Sequence, residues 1–100
     1  MLTLGNNDPL HRYEAFDDGV LVGFSEYNLL SDSVMFTHTE VLPEHGGKGV
    51  GGFIAAAVLD DARKQGKHVI PACPFIAAYL RKHPEYLDLV KPEIRRAFKV

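Results

Sequence analysis

Val41-Leu42-Pro43-Glu44-His45-Gly46-Gly47-Lys48-Gly49-Val50-Gly51-Gly52 joins an apolar, β-prone stretch to the start of a long amphipathic segment. Five of the chain's nine glycines fall between positions 46 and 52. A glycine inside a helix costs roughly 0.5–1 kcal/mol relative to alanine. Several of them at a helix start therefore assign the work of that turn to the backbone. The free N–H groups of a helix start carry partial positive charge, and a turn without Cβ atoms lets an anion come close. The stretch reads as a cradle for a diphosphate.

Upstream of it the pattern is that of strands. Residues 1–9 read as a loose start, and Leu10 to Phe16 as a short strand ending at the hairpin turn Asp17-Asp18-Gly19. Val20 to about Tyr27 alternates as a second strand, and Leu30-Ser31-Asp32-Ser33 makes another turn. Val34 to Leu42 is a third strand, with Val34, Phe36, His38 and Glu40 on one face and Met35, Thr37, Thr39 and Val41 on the other. These strands form an antiparallel meander.

Downstream, Val50, Phe53, Ile54, Ala57, Val58 and Ala62 recur at helical spacing, which predicts a helix from about Lys48 to Gln65. Gly66 ends it. Lys67 to Ala72 reads as a strand reached by a crossover. Pro74 starts a second helix that stops before Pro84, Glu85 to Val90 makes a further turn of helix, and Pro92 onwards is a short tail.

Composition bounds the function. At 100 residues the chain is read as a single domain, with 46% hydrophobic and 24% charged residues. A net charge of −2 without a dense block of Lys and Arg argues against nucleic-acid binding. No apolar run approaches the roughly 20 residues that span a bilayer, so no membrane partner is expected. Residues 1–10 lack the order of a signal peptide, which gives a cytoplasmic address. Cys73 is the one cysteine, and none of the five histidines lies four residues from another, so no metal is expected. His11, His45 and His68 are expected at the surface.

Gly47-Lys48-Gly49-Val50-Gly51-Gly52 also satisfies the dinucleotide pattern Gly-x-Gly-x-x-Gly. That motif needs a parallel βαβ unit and an acid about 20 positions on, and residues 67–72 contain none. No Gly-Lys-Ser/Thr follows, so the phosphate-binding loop of nucleotide triphosphatases is excluded too.

The order of strand, Pro43, glycine turn and long helix resembles motif A of the GNAT superfamily, the acetyl-CoA-dependent N-acetyltransferases. The pattern there is Gln/Arg-x-x-Gly-x-Gly/Ala; Gly49 and Gly51 fall on its small positions, and Gly46 replaces the Gln or Arg. The sequence Val69-Ile70-Pro71-Ala72-Cys73-Pro74, followed by Tyr79-Leu80-Arg81-Lys82-His83-Pro84-Glu85-Tyr86, resembles a small single-domain subgroup of that family. The resemblance covers about residues 10–90. It implies an α/β (α+β) fold: a mostly antiparallel mixed sheet with splayed central strands, one long helix after the third strand and a shorter C-terminal helix. Acetyl-CoA would enter the splay, its pantetheine pairing with backbone around Glu40, Val41 and Leu42. Its diphosphate would meet Gly47, Lys48, Gly49, Val50, Gly51 and Gly52.

Acetyl transfer to an amine needs a base for the amine, a donor for the carbonyl oxygen as it becomes negative, and an acid for the departing thiolate. A backbone N–H near Val41 suits the oxygen. His38 and Glu40 are the available base pair, or else lie on a solvated strand face. Tyr79 falls where the family often carries the tyrosine that protonates the thiolate, although on a helix stripe it also reads as core. Cys73, at the start of the second helix, is placed by the resemblance at the acetyl-CoA site, whether as an acyl acceptor or beside the thioester. His83 and Tyr86 are expected to fix the loop after the second helix, where His83 also comes within reach of the cofactor's outer end. The expected activity is direct acetyl transfer to an unidentified amine by a monomer or weak dimer; the alternative is a CoA- or acyl-CoA-binding module with little turnover.

Overall fold

The computed structural model describes Met1–Val100. Strands β1 (Leu2–Asn7), β2 (Arg12–Asp17), β3 (Val20–Leu29) and β4 (Ser33–Val41) precede helix α1 (Val50–Lys64), strand β5 (His68–Pro71), helix α2 (Pro74–Lys82) and helix α3 (Pro92–Phe98). Short 3-10 segments occupy Asp8–Leu10, Pro43–His45 and Pro84–Leu89. The sheet order is β1-β2-β3-β4-β5, antiparallel through β4 and parallel between β4 and β5. The mixed α/β fold expected from the sequence is therefore present, with differences in its elements.

Residues 1–9 are not loose: Leu2–Asn7 pairs along its length with β2, which makes β4, not a third strand, the one before the long helix. The segment from Pro92 is a helix, so two helices follow β5. The hairpin at Asp18-Gly19 forms as expected; both residues have positive φ (49° and 86°), the geometry of a two-residue type I′ turn. Helix α1 ends at Lys64 with Gln65 as its cap, Gly66 at φ +69° and Lys67 N–H bonded back to Ala62 O at 2.9 Å.

The core lies between one sheet face and the helices. Tyr13, Ala15, Ser25, Tyr27 and Phe36 are buried there against Ile54, Ala55, Val58 and Leu59 of α1 and Ile76 and Leu80 of α2. The buried stripe of α1 includes Ala55 and Leu59, while Phe53 and Ala57, expected in it, are half-buried. Tyr13 Oη donates to Asp61 Oδ2 at 2.5 Å and ties the helix to the sheet.

A β-bulge decides which side chains meet the core. Glu26 pairs with His38 and Tyr27 with Phe36, which leaves Thr37 as the extra residue of β4. Tyr27 and Ser25 share a face, so their partners Phe36 and Thr39 share it too. The expectation that His38 and Glu40 lie on the face of Val34 and Phe36 is thus wrong. The bulge inverts the alternation, leaving His38 and Glu40 on the opposite, exposed face and turning Thr39 and Val41 toward the helices.

Candidate active site

Strands β4 and β5 are paired only from Ser33–His68 to Phe36–Pro71. Cys73 N–H then closes the ladder on Phe36 O at 2.7 Å, and the chain turns into α2. Beyond that point β4 continues to Val41 without a partner on this side. The opening therefore lies at the last strand pair of the sheet, at its edge and not between central strands. Leu42 N–H bonds Val22 O at 2.9 Å, and hydrogen-bonding direction alternates along an antiparallel strand. The N–H and C=O groups of Thr39 and Val41 consequently face the opening.

At the far end of that edge the chain passes through Pro43–His45 into the glycine turn. Gly47 and Gly49 have φ of +79° and +76°, a backbone region open to glycine at little cost. Gly49 caps α1 without any side-chain bond, and the first backbone bond of the helix runs from Phe53 N–H to Gly49 O at 3.0 Å. The N–H groups of Val50, Gly51 and Gly52 precede that ladder and have no intrahelical acceptor. A Cβ on Gly49 or Gly52 would meet nothing within 4 Å, so the cradle is open to solvent. Lys48 is exposed beside it. At Gly51 the reason for glycine differs: a Cβ would lie 2.8 Å from Phe75 Cζ and 3.6 Å from Val41 Cγ2. The first turns of α1 and α2 and the end of β4 converge there.

The candidate residues divide into three groups. Cys73 is buried at the apex of the opening, its Sγ donating to Thr39 Oγ1 at 3.4 Å, with Thr39 Oγ1 also 2.9 Å from Ser25 Oγ. Sequence reasoning passed over Thr39 and Ser25, because nothing local distinguishes a strand hydroxyl at the surface from one aimed at a thiol. On the opposite face, His38 Nε2 lies 3.2 Å from Glu40 Oε1, with the Phe24 ring 6.1 Å from the imidazole. Both members are about half exposed, so the pair is reached from solvent.

The third group lines a groove of about 270 Å³ along α2, formed by Phe75, Ala78, Tyr79, Lys82 and His83. Tyr79 and His83 stack with ring centroids 4.0 Å apart. Burial, with Glu85 and Asp60 nearby, raises the Tyr79 pKa, so its hydroxyl keeps its proton at neutral pH. Tyr86 Oη donates to Asp60 Oδ1 at 2.8 Å and Arg63 grips Asp88, which fixes the segment after α2 against α1. Of the histidines expected at the surface only His11 is exposed; His45 is half-buried, and so is His68, whose Nδ1 is enclosed without a partner. No group of three or more His, Cys, Asp or Glu side chains is arranged to hold a metal ion.

A family model described as GCN5-related N-acetyl-transferase matches residues 12–89. Among solved structures, a GCN5-like protein from Staphylococcus aureus superposes with a TM-score of 0.65 at 25% identity, covering 91% of this chain and 87% of the other. The ribosomal-protein-S18-alanine N-acetyltransferase of Escherichia coli gives a TM-score of 0.55 at 17% identity over 58% of this chain. The PaiA N-acetyltransferase of Thermoplasma acidophilum, solved with coenzyme A, gives 0.51 at 23% over 56%. The chain spans 38% and 35% of the length of these last two proteins, which share its fold. No curated protein matches the chain in sequence.

Proposed function

The chain belongs to the GCN5-related N-acetyltransferase family, and from that premise we propose that it binds acetyl-CoA in the opening beside β4 and transfers the acetyl group directly to an amine. The observation that carries this reading is the continuity of two sets of unpaired backbone groups. The edge of Thr39 and Val41 runs into the free N–H groups of Val50, Gly51 and Gly52, with Cys73 closing one end. A pantetheine arm is a string of amides that can pair with a strand edge, and a diphosphate suits a helix start. The coenzyme A bound to the Thermoplasma relative supports the same ligand here.

In this arrangement Gly47, Lys48, Gly49, Val50, Gly51 and Gly52 hold the diphosphate, with Lys48 adding a charge. Val41 meets the pantetheine through its free backbone groups; those of Leu42, expected to join it, are taken by Val22 O and His45 N–H. Tyr79 and His83, on the groove along α2, hold the part of the cofactor that leaves the cradle. The acetyl carbon then lies near Thr39 and Cys73. An amine approaching from the exposed face of the sheet meets Glu40 and His38, which take its proton directly or through a water. The Val41 N–H receives the carbonyl oxygen as charge builds on it.

Thiol release from acetyl-CoA, followed across a panel of primary amines, tests the proposal. Amine-dependent release is expected, and Gly49→Val, which forces a β-branched residue to φ +76°, is expected to lose both binding and release. Binding without release by any amine would instead favour a CoA-binding module. Unchanged affinity in Gly49→Val would remove the cradle from the account.

A further inference from the structure

The departing CoA thiolate needs a proton, and two groups compete to supply it. Tyr79 is the residue suggested by position. Its ring, however, stacks on His83 one turn further along α2, in the outer groove with Lys82. Six residues of helix separate it from Cys73, a rise of roughly 9 Å. At the apex itself stands the hydroxyl of Thr39, with Ser25 fully buried behind it and Cys73 2% exposed beside it.

Thr39 is the half-buried member of this trio and the one on the open side. Its oxygen accepts the Cys73 S–H, and its second lone pair is within reach of the Ser25 hydroxyl. A hydroxyl has two acceptor sites and one hydrogen. When Ser25 is the donor of its bond with Thr39, Cys73 and Ser25 fill both sites and the Thr39 hydrogen is free to point into the opening. The bulge at Thr37 creates this arrangement, because without it Thr39 would face the other side of the sheet.

We propose that Thr39 touches the leaving sulfur and passes it a proton drawn from Cys73, so that Ser25, Thr39 and Cys73 act as the acid of the reaction. This rests on the acetyltransferase reading above. The amine nitrogen bonds to the acetyl carbon, the carbon–sulfur bond breaks, and its electron pair goes to the CoA sulfur. The Thr39 hydrogen moves to that sulfur while the Cys73 hydrogen moves to the Thr39 oxygen. The products are CoA thiol, the amide and a Cys73 thiolate, which regains a proton from solvent as Glu40 releases the one taken from the amine. Thr39 is a catalytic residue in this step, and Ser25 is a positioning residue.

The test is steady-state acetyl transfer with two donors: acetyl-CoA, and p-nitrophenyl thioacetate, whose leaving thiolate is stable without a proton. Thr39→Val should lower kcat with acetyl-CoA about a hundredfold or more while acetyl-CoA affinity by calorimetry stays unchanged. The deficit should largely vanish with the thioacetate. Thr39→Ser should recover most of the rate. Thr39→Val combined with Cys73→Ala should lose no more than either alone, because the two act in one chain. Circular dichroism of each variant confirms the fold. Wild-type kcat in Thr39→Val, or a deficit equal for both donors, overturns the inference while leaving the acetyltransferase reading intact. A wild-type chain without turnover overturns both.

Discussion

A methyl group at position 23 would lie 2.8 Å from Glu40 O and 2.8 Å from Ile54 Cδ1. One of these is backbone on the neighbouring strand, which yields only if the sheet shifts, and the other is the tip of a buried α1 side chain, which must repack. Gly23→Ala is therefore expected to destabilise the fold by about 1–3 kcal/mol, visible as a drop in Tm in thermal unfolding. The opposite sign is expected at Gly52, where a Cβ meets nothing and the residue lies in the first turn of α1. Gly52→Ala should stabilise by roughly 0.5–1 kcal/mol. The glycines of the cradle and Cys73 were legible in the sequence, because glycine density before a helical period and a lone thiol before Pro74 are local signals. Thr39 and Ser25 were not. Their meeting with each other and with Cys73 joins residues 14 and 34 positions apart, across a bulge with no local mark.

Among the elements, α1, α2 and the hairpin at Asp18-Gly19 follow from period, proline position and turn chemistry. Strand β1 does not, since Leu2-Thr3-Leu4-Gly5-Asn6-Asn7 carries weak strand propensity and is held extended by its partner β2. Helix α3 had a readable signal in Pro92 at its first turn, yet its docking comes from Lys91 Nζ on Asp32 Oδ2 at 2.6 Å and Arg95 on the carbonyls of Leu87 and Val90. The Pro84–Leu89 segment likewise depends on tertiary bonds, chiefly Tyr86 to Asp60 and Arg63 to Asp88. Burial and the Asp60 carboxylate push the Tyr86 pKa up from 10 to about 12. Between those values the unfolded chain has lost the proton that the folded chain still holds, so stability falls as pH rises. The contribution is whole below pH 10 and gone above about 12. Urea unfolding across that range should show the decline, and Tyr86→Phe should flatten part of it. An unchanged slope in Tyr86→Phe would assign the decline to the other tyrosines raised by burial, Tyr13, Tyr27 and Tyr79.

At the scale of the molecule, the sheet presents two unlike faces. One carries the helices and the core; the other carries Arg12, Glu14, Phe24, His38 and Glu40, with Arg12 bonded to Glu14 at 2.8 Å and stacked 4.5 Å above the Phe24 ring. No helix is long and apolar enough to cross a membrane. In the proposed reaction, a cofactor entering from the cradle side and an amine arriving from the strand face would meet at the free edge of β4. The structure also holds a second, larger cavity of about 370 Å³ at the other end of the β4–β5 pair, among Leu30, Asp32, His68, Lys91 and Ile94. Ligand binding at the two locations can be told apart residue by residue. In an amide-resolved NMR titration, acetyl-CoA bound beside β4 is expected to shift residues 47–52, Thr39, Val41 and Leu42, and α2 from Cys73 to His83. Shifts confined to the cavity around His68 and Ile94, or none at saturating acetyl-CoA, would contradict that placement.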